Sequence, residues 1–434
     1  MPLSVDWCLI LYLDFIEPVR FAHRLCIYAD IFPGLFAYAY RTVTEREYGM
    51  NNWKRFVVCV LALLVCAVPT PVFGTESTTE MPFDVDALSA VLMDAETGEI
   101  LYAKNPDEAL PPASVTKIMT LLLVMEAIDS GQIQLSDTVT VSEYAASMGG
   151  SQVYLEPGEQ MSVEDLLKST VVSSANDAAV ALGELVAGSE EAFVRRMNER
   201  AAELGMVHTK FENATGLDDD TTAHLISAED IAIMSRELIA HEKILEYTSI
   251  WMDTIRGGAF GLSNTNRLIR FYSGATGLKT GSTSKAKFCI SATARRDGLH
   301  LIAVIMGSPT RDIRNAMATR LLDWGFANYA MYRNPGADAG RIKVLGGVAE
   351  DCGVLYSDFS RLMKKGSEKS VTYTLELPET VSAPVRMGDV IGKIVYRSGE
   401  EIIGEADILA CESVDKISFW GLFARMIKIF SINA

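Results

Sequence analysis

Pro112-Ala113-Ser114-Val115-Thr116-Lys117-Ile118-Met119-Thr120-Leu121-Leu122-Leu123-Val124-Met125 decides how this chain folds. Pro111 and Pro112 end an extended segment, and Ser114 opens a helix that runs to about Ser130 and stops at Gly131. Its apolar residues, from Ile118 to Ile128, lie nearly all round the axis, so the helix is expected at the centre of a large domain. Ser114 and Lys117 stand three apart and share one face. A serine in the first turn sits where free backbone N–H groups favour negative charge. Serine needs an adjacent base to act as a nucleophile. Lys117 is such a base only when neutral, which at pH 7 costs roughly 4–5 kcal/mol against a reference pKa of about 10.4. Burial and repulsion from a second cation, Lys279, both push that pKa down. The plainer reading is a helix-capping serine beside a surface lysine.

Two more short motifs follow in order, Ser174-Ala175-Asn176 and Lys279-Thr280-Gly281. Ser-x-x-Lys alone says little, because Ser282/Lys285, Ser284/Lys287 and Ser413/Lys416 share the spacing, whereas Lys-Thr-Gly occurs once. The weight lies in order and separation. Ser174 can relay a proton towards a leaving amine, and Asn176 can orient Lys117 and a substrate amide. Ser174 is equally suited to capping the helix that starts near Asp177. Lys279-Thr280-Gly281 is placed at a strand start. Lys279 supplies charge, Thr280 a hydroxyl, and Gly281 lets another backbone come close. This suits an extended peptide with a free carboxylate laid along a sheet edge. An ordinary turn before a strand is the alternative.

Outward from these motifs, strands are expected over Leu88–Asp94 and Glu99–Lys104, joined at Glu96-Thr97-Gly98. Amphipathic helices are expected near 162–172, 176–187, 190–204 and 228–240, with a polar loop from Asn213 to Thr222. Ala286–Ala294 and Leu299–Gly307 flank a second turn, Arg296-Asp297-Gly298, and a helix from Arg311 to about Tyr329 packs back on the sheet. First and last segments meet in one sheet with a helical insert between them, an α+β arrangement. After Asn334-Pro335-Gly336 the texture changes to short alternating strands, and 335–412 reads as a small all-β domain.

Net charge is −17 over 434 residues, and the balance is unchanged when residues 1–74 are set aside. Such a surface repels phosphates, which excludes nucleic acid as a partner. The five histidines show no metal-ligand spacing, and no metal or cofactor is expected; His208, His224 and His300 read as structural. Cys289, Cys352 and Cys411 read as small buried hydrophobes, not a disulfide framework. Met50-Asn51-Asn52-Trp53-Lys54-Arg55 and the apolar run Phe56–Val68 form a secretory signal over 50–74, with cleavage after Gly74. Residues 1–49 do not fit an exported protein and read as an upstream extension or a mis-assigned start. At the other end, over 413–434, Ser418, Gly421, Arg425 and Lys428 form one polar stripe on an otherwise apolar helix. It is shorter than the ~20 residues a span needs, and is expected to lie in a membrane surface.

Taken together, the chain resembles the D-alanyl-D-alanine carboxypeptidases among the low-molecular-mass penicillin-binding proteins. The three motifs in this order mark the penicillin-recognising serine enzymes. Asn213-Ala214-Thr215-Gly216-Leu217, Thr276-Gly277-Leu278-Lys279-Thr280-Gly281 and Leu321-Leu322-Asp323-Trp324-Gly325-Phe326 add support. The resemblance implies a catalytic domain of the serine β-lactamase/transpeptidase type over 75–334. It implies Ser114 as nucleophile, Lys117 as base, and Ser174, Asn176 and Lys279 in support. Thr280 would bind the substrate carboxylate, and the N–H groups of Ser114 and Ser282 would form an oxyanion hole. Arg314 falls where the family often has an arginine near that carboxylate. The implied substrate is the peptidoglycan pentapeptide, with β-lactams as inhibitors. Lys287 stands where relatives usually have glycine, which puts the local strand and the rate in question. A β-lactamase, a cross-bridge endopeptidase, or an idle wall- or β-lactam-binding protein are the competing readings. The region 205–265 offers no glutamate suited to β-lactamase deacylation.

Overall fold

The computed structural model describes residues 83–218 and 221–432. The readings placed on residues 1–74 lie outside the described residues. Strands β1 (Ser89–Asp94) and β2 (Ile100–Lys104) form the first hairpin. Asp94 closes its turn by accepting from the N–H and the hydroxyl of Thr97, both at 2.8 Å, and Gly98 takes the left-handed φ of 77°.

A single 3-10 turn, Ala113–Thr116, leads into α1 (Lys117–Asp129). A short ribbon, β3 (Thr138–Thr140) with β4 (Gln160–Ser162), brackets α2 (Glu143–Ala146). Then come α3 (Val163–Val172), α4 (Asn176–Ala187), α5 (Glu190–Glu203), α6 (Ala228–Ala240) and α7 (Lys243–Thr248). Ser142, Ser162, Ser189 and Ser227 start α2, α3, α5 and α6, each hydroxyl accepting from the N–H three residues on. The helix α4 has no such cap, because its preceding serine is used elsewhere.

The chain returns through a hairpin, β5 (Met252–Ile255) with β6 (Phe260–Ser263), and a one-turn helix α8 (Leu268–Phe271). Strands β7 (Ala275–Thr283), β8 (Lys287–Arg296) and β9 (Leu299–Ser308) complete an antiparallel sheet ordered β2-β1-β9-β8-β7. First and last segments meet at β1 and β9, with Val91 opposite Val304. One face of the sheet (Val91, Met93, Ile302, Val304) packs on α1 and the helical insert. The other (Leu92, Leu301, Ala303, Ile305) packs under α9 (Arg311–Asn328). Gly325 permits that contact, since a Cβ there would come within 2.5 Å of Leu301.

One expectation needs correction. Lys279-Thr280-Gly281 lie inside β7, not at its start. Thr276 and Gly277 belong to the strand, whose register against β8 shifts between Ala275 and Gly277. Glycine in a strand marks a bulge, and on sequence alone a bulge resembles a turn.

β10 (Tyr329–Asn334) follows α9 directly. After it come β11 (Ala337–Leu345), β12 (Asp351–Tyr356), β13 (Phe359–Lys364), β14 (Val371–Glu376), β15 (Thr380–Ser382), β16 (Val390–Ser398) and β17 (Glu401–Ala410). Six of them form a sheet ordered β14-β16-β17-β12-β11-β15, while β10 and β13 form a separate ribbon. The ribbon covers a core centred on buried Tyr396, on which the Phe359 ring stacks at 3.9 Å. Cys289 and Cys352 are buried, Cys411 is half-buried, and all three are free. The last element is α10 (Phe419–Ile432). Phe419 and Trp420 are each 74 % exposed on it, and Leu422, Phe423, Met426 and Ile427 are about half exposed.

Candidate active site

Lys117 begins α1 and is fully buried. Its Nζ lies 3.1 Å from Ser114 Oγ, 2.5 Å from Asn176 Oδ1 and 2.8 Å from the carbonyl of Thr215. Burial first, then the charge of Lys279, holds its pKa well below the ordinary lysine value; Asp177 opposes them. A neutral amine has two hydrogens and one lone pair. Asn176 Oδ1 and the Thr215 carbonyl can only accept, so they take both hydrogens. The lone pair is left for the one partner able to donate, the Ser114 hydroxyl. Asn176 cannot turn its amide round, because its Nδ2 donates to the carbonyl of Gly149 at 2.7 Å.

Ser174 sits at φ 63°, a turn of backbone that keeps it from capping α4. Its Oγ accepts from Lys279 Nζ at 2.8 Å. Lys279 also donates to the Thr280 carbonyl at 3.0 Å. Burial, and then the charge of Arg314, lower the Lys279 pKa to about 7. Two lysines with lowered pKa values therefore flank two serine hydroxyls in one buried cluster, the kind of perturbation that marks functional sites.

The glycines of the motifs have specific tasks. A Cβ on Gly281 would stand 2.7 Å from the Pro112 carbonyl oxygen. The backbone that comes close to Gly281 is thus the chain's own turn at Ser114, where the sequence suggests a substrate. Gly216, at φ 81°, lies under the same turn, and a Cβ there would be 1.8 Å from the Ala113 oxygen. Asn213 shapes this support by accepting from the Gly216 N–H at 2.7 Å. Lys117 reads the carbonyl of Thr215 from that loop.

In the sequence Asp177 marks only the approximate start of a helix, yet in the structure it anchors the loop at Val153 and Leu155. Its carboxylate accepts from the N–H groups of Val153 at 3.1 Å, Leu155 at 3.0 Å and Ala178 at 2.9 Å. Arg256 clamps the same loop, donating to the Val153 carbonyl and pairing with Glu159 at 2.7 Å. Thr280 bonds through its hydroxyl to Thr265 at 2.8 Å. Ser282 is exposed at the far end of β7, opposite Phe288. Arg314 is buried, and its guanidinium donates to the Cys289 carbonyl at 3.2 Å and to Asn315. It lies near enough to Lys279 for its charge to help lower that pKa. His224 bridges Thr116 Oγ1 and the Glu212 N–H, and His300 meets Thr276, so both are built into the scaffold.

A sheet with a helical insert, a serine beside a buried lysine and a second serine–lysine pair opposite define a penicillin-recognising serine acyl-enzyme. The D-alanyl-D-alanine carboxypeptidase family model matches residues 75–310, and the penicillin-binding protein 5 C-terminal domain model matches 346–416. The chain belongs to the D-alanyl-D-alanine carboxypeptidase family, and it is a serine peptidase that removes the terminal D-alanine. It is 43 % identical over 342 residues to D-alanyl-D-alanine carboxypeptidase DacF of Bacillus subtilis, covering 77 % of this chain and 87 % of that one. DacC of Escherichia coli is 33 % identical, over 83 % of this chain and 92 % of its own. Among solved structures, penicillin-binding protein 5 of Haemophilus influenzae superposes with a TM-score of 0.67 at 32 % identity, covering 78 % of this chain and all of that one. Penicillin-binding protein D2 of Listeria monocytogenes, in its ampicillin-bound form, gives 0.52 at 33 % identity over 57 % of this chain and all of its own.

Proposed function

We propose that Ser114 is the nucleophile of this carboxypeptidase and that neutral Lys117 takes its proton. The observation that carries this is Lys117 Nζ, fully buried, 3.1 Å from Ser114 Oγ, with its other two partners able only to accept. The Ser114 oxygen attacks the penultimate D-alanyl carbonyl. Its proton passes by Lys117 and Ser174 to the departing D-alanine nitrogen, with Lys279 holding the Ser174 hydroxyl. Thr280 and Lys279 receive the terminal carboxylate, and the N–H groups of Ser114 and Ser282 the developing oxyanion. Water then splits the ester. Ser114→Ala should abolish both penicillin labelling and D-alanine release from a peptide ending in D-Ala-D-Ala. Labelling that maps to another serine would refute the assignment.

The remaining parts of the reading concern place. We infer export through the 50–74 signal, a mature catalytic domain over 75–334, the β domain over 335–412, and peripheral attachment by 413–434. The exposed apolar residues of α10 support the attachment. No helix among the described residues is long and apolar enough to cross a membrane. Arg425 donates to the carbonyls of Gly347, at 3.3 Å, and Val348, at 2.6 Å. Truncation after Cys411 should leave a soluble, active enzyme, and a full-length protein that never binds liposomes would refute the anchor.

A further inference from the structure

Beyond Thr280 the sheet edge opens into a cleft of about 520 Å³, bordered by Trp251, Thr265, Arg267, Phe271 and Arg311. It meets the catalytic cluster at Thr265. The Thr265 hydroxyl bonds to that of Thr280 at 2.8 Å, and its N–H donates to the carbonyl of Val172, two residues before Ser174.

The cleft is cationic in a protein of net charge −17. Both Arg267 and Arg311 are exposed, and among the described residues neither guanidinium has an ion pair or a hydrogen bond. Most other arginines of the catalytic domain are spent on a carboxylate or a carbonyl: Arg200 on Glu126, Arg256 on Glu159, Arg296 on Asp323, Arg314 on Cys289. The indole N–H of Trp251 is buried at the atom and has no partner. Arg270 lies over the Trp251 ring at 5.4 Å and adds a further positive charge. The buried indole donor is costly to leave without a partner. The two exposed guanidiniums are free to meet an anion, and a guanidinium matches a carboxylate in shape and charge.

We propose that this cleft is a subsite for the side chain of the leaving residue, and that it selects a D-amino acid whose side chain ends in a second carboxylate. This rests on Ser114 being the acylated residue and on Thr280 receiving the α-carboxylate of the leaving residue. A side chain longer than the methyl of D-alanine then passes Thr265 and brings its own carboxylate to Arg267 and Arg311. The chemistry is unchanged. Ser114 Oγ forms an ester with the penultimate D-alanyl carbonyl, and the C–N bond to the leaving residue breaks. The proton from Ser114 ends on the departing amine, and water later hydrolyses the ester. With such a substrate the released product is an extended acidic D-amino acid; with the pentapeptide it remains D-alanine.

The test uses the exported full chain and three acyl-D-Ala-D-Xaa peptides: Xaa is D-alanine, D-2-aminoadipate, or the side-chain carboxamide of D-2-aminoadipate. The expected result is a kcat/KM for the aminoadipate peptide about tenfold above that of its carboxamide. The ratio should fall towards one in R267Q/R311Q, and it should shrink between low and high salt, because exposed charges are screened. A thermal melt reports whether the variant is folded, and each single variant repeats the measurement should the double one unfold. Equal rates for carboxylate and carboxamide overturn the proposal. So does a preference that survives in the folded variants. Release of D-alanine from the first peptide by S114A would instead refute the Ser114 reading beneath it, and the proposal with it.

Discussion

A Cβ on Gly281 would lie 2.9 Å from the backbone nitrogen of Ser114. The third motif therefore touches the first through backbone, with no side chain between them. Real Cβ atoms avoid such distances, so Gly281→Ala must push β7 and the nucleophile turn apart. Small displacements at a reacting centre cost about 10²-fold in rate. Acylation by a penicillin, followed by stopped flow, should slow by about that factor. An unchanged rate would show that the turn shifts without cost.

The lysine pair sets the acid limb of activity. Lys279 has its pKa lowered to about 7, and Lys117 is held well below its ordinary value by burial and by the Lys279 charge. The two titrate as a pair. As pH falls through 7 and below, the pair takes up a proton, Lys117 ceases to be a base, and acylation should decline. Lys279→Gln removes the repelling charge, so the Lys117 pKa rises. The residual acylation of that variant should then fail at a higher pH. A limb that stays put would mean that Lys279 acts on substrate alone.

Lys287 occupies φ 58°, a region that suits glycine. The register of β7 and β8 nevertheless holds there, with Thr283 opposite Lys287. Against β7 the strand keeps its pairing, while against β9 its register shifts between Phe288 and Ile290. Left-handed backbone costs about 1–2 kcal/mol for a residue with a Cβ. Glycine gives back about 0.4–1 kcal/mol through the freedom of the unfolded chain. Lys287→Gly should therefore stabilise the protein by about 0.5–1 kcal/mol in urea unfolding. Destabilisation would show that the lysine stem contributes contacts.

Acid should weaken the fold through two buried histidines. Burial lowers the pKa values of His224 and His300 from 6.5 to about 4. Between those limits the unfolded chain holds protons that the folded one does not, so stability is full above pH 6.5 and is lost towards pH 4. The loss is of the order of 3 kcal/mol for each histidine. Unfolding free energies measured at pH 7 and 4.5 should show it, and His300→Gln should reduce the difference. An equal difference in that variant would place the loss elsewhere.

Long, periodic elements were legible in the sequence, because burial writes itself as spacing. The helix from Lys117, the insert helices and the sheet strands lie within a few residues of their expected places. The pieces too short to show a period, α2, α7, α8 and the ribbons β3–β4 and β5–β6, were not. At the site, residue types and order pointed to Ser114, Lys117, Ser174, Asn176 and Lys279. What spacing cannot show is which atoms face each other. The left-handed turn at Ser174, the contact of Gly281 with Ser114 and the grip of Asp177 on the loop before it all depend on tertiary contact. Arg314 came from the resemblance alone, and no spacing in the sequence shows its bonds to Cys289 and Asn315 or its effect on Lys279.

The ribbon between β10 and β13 has a mechanical meaning. The last helix of the catalytic domain runs without a break into β10, whose six residues from Tyr329 to Asn334 each face a residue of β13. A flexible tether would let the cleft wander through a hemisphere around its attachment point. A paired ribbon works as a ruler. Were α10 held at a lipid surface, as proposed above, the cleft would sweep a single plane at fixed height, and the wall peptides within its reach would be those that lie in that plane.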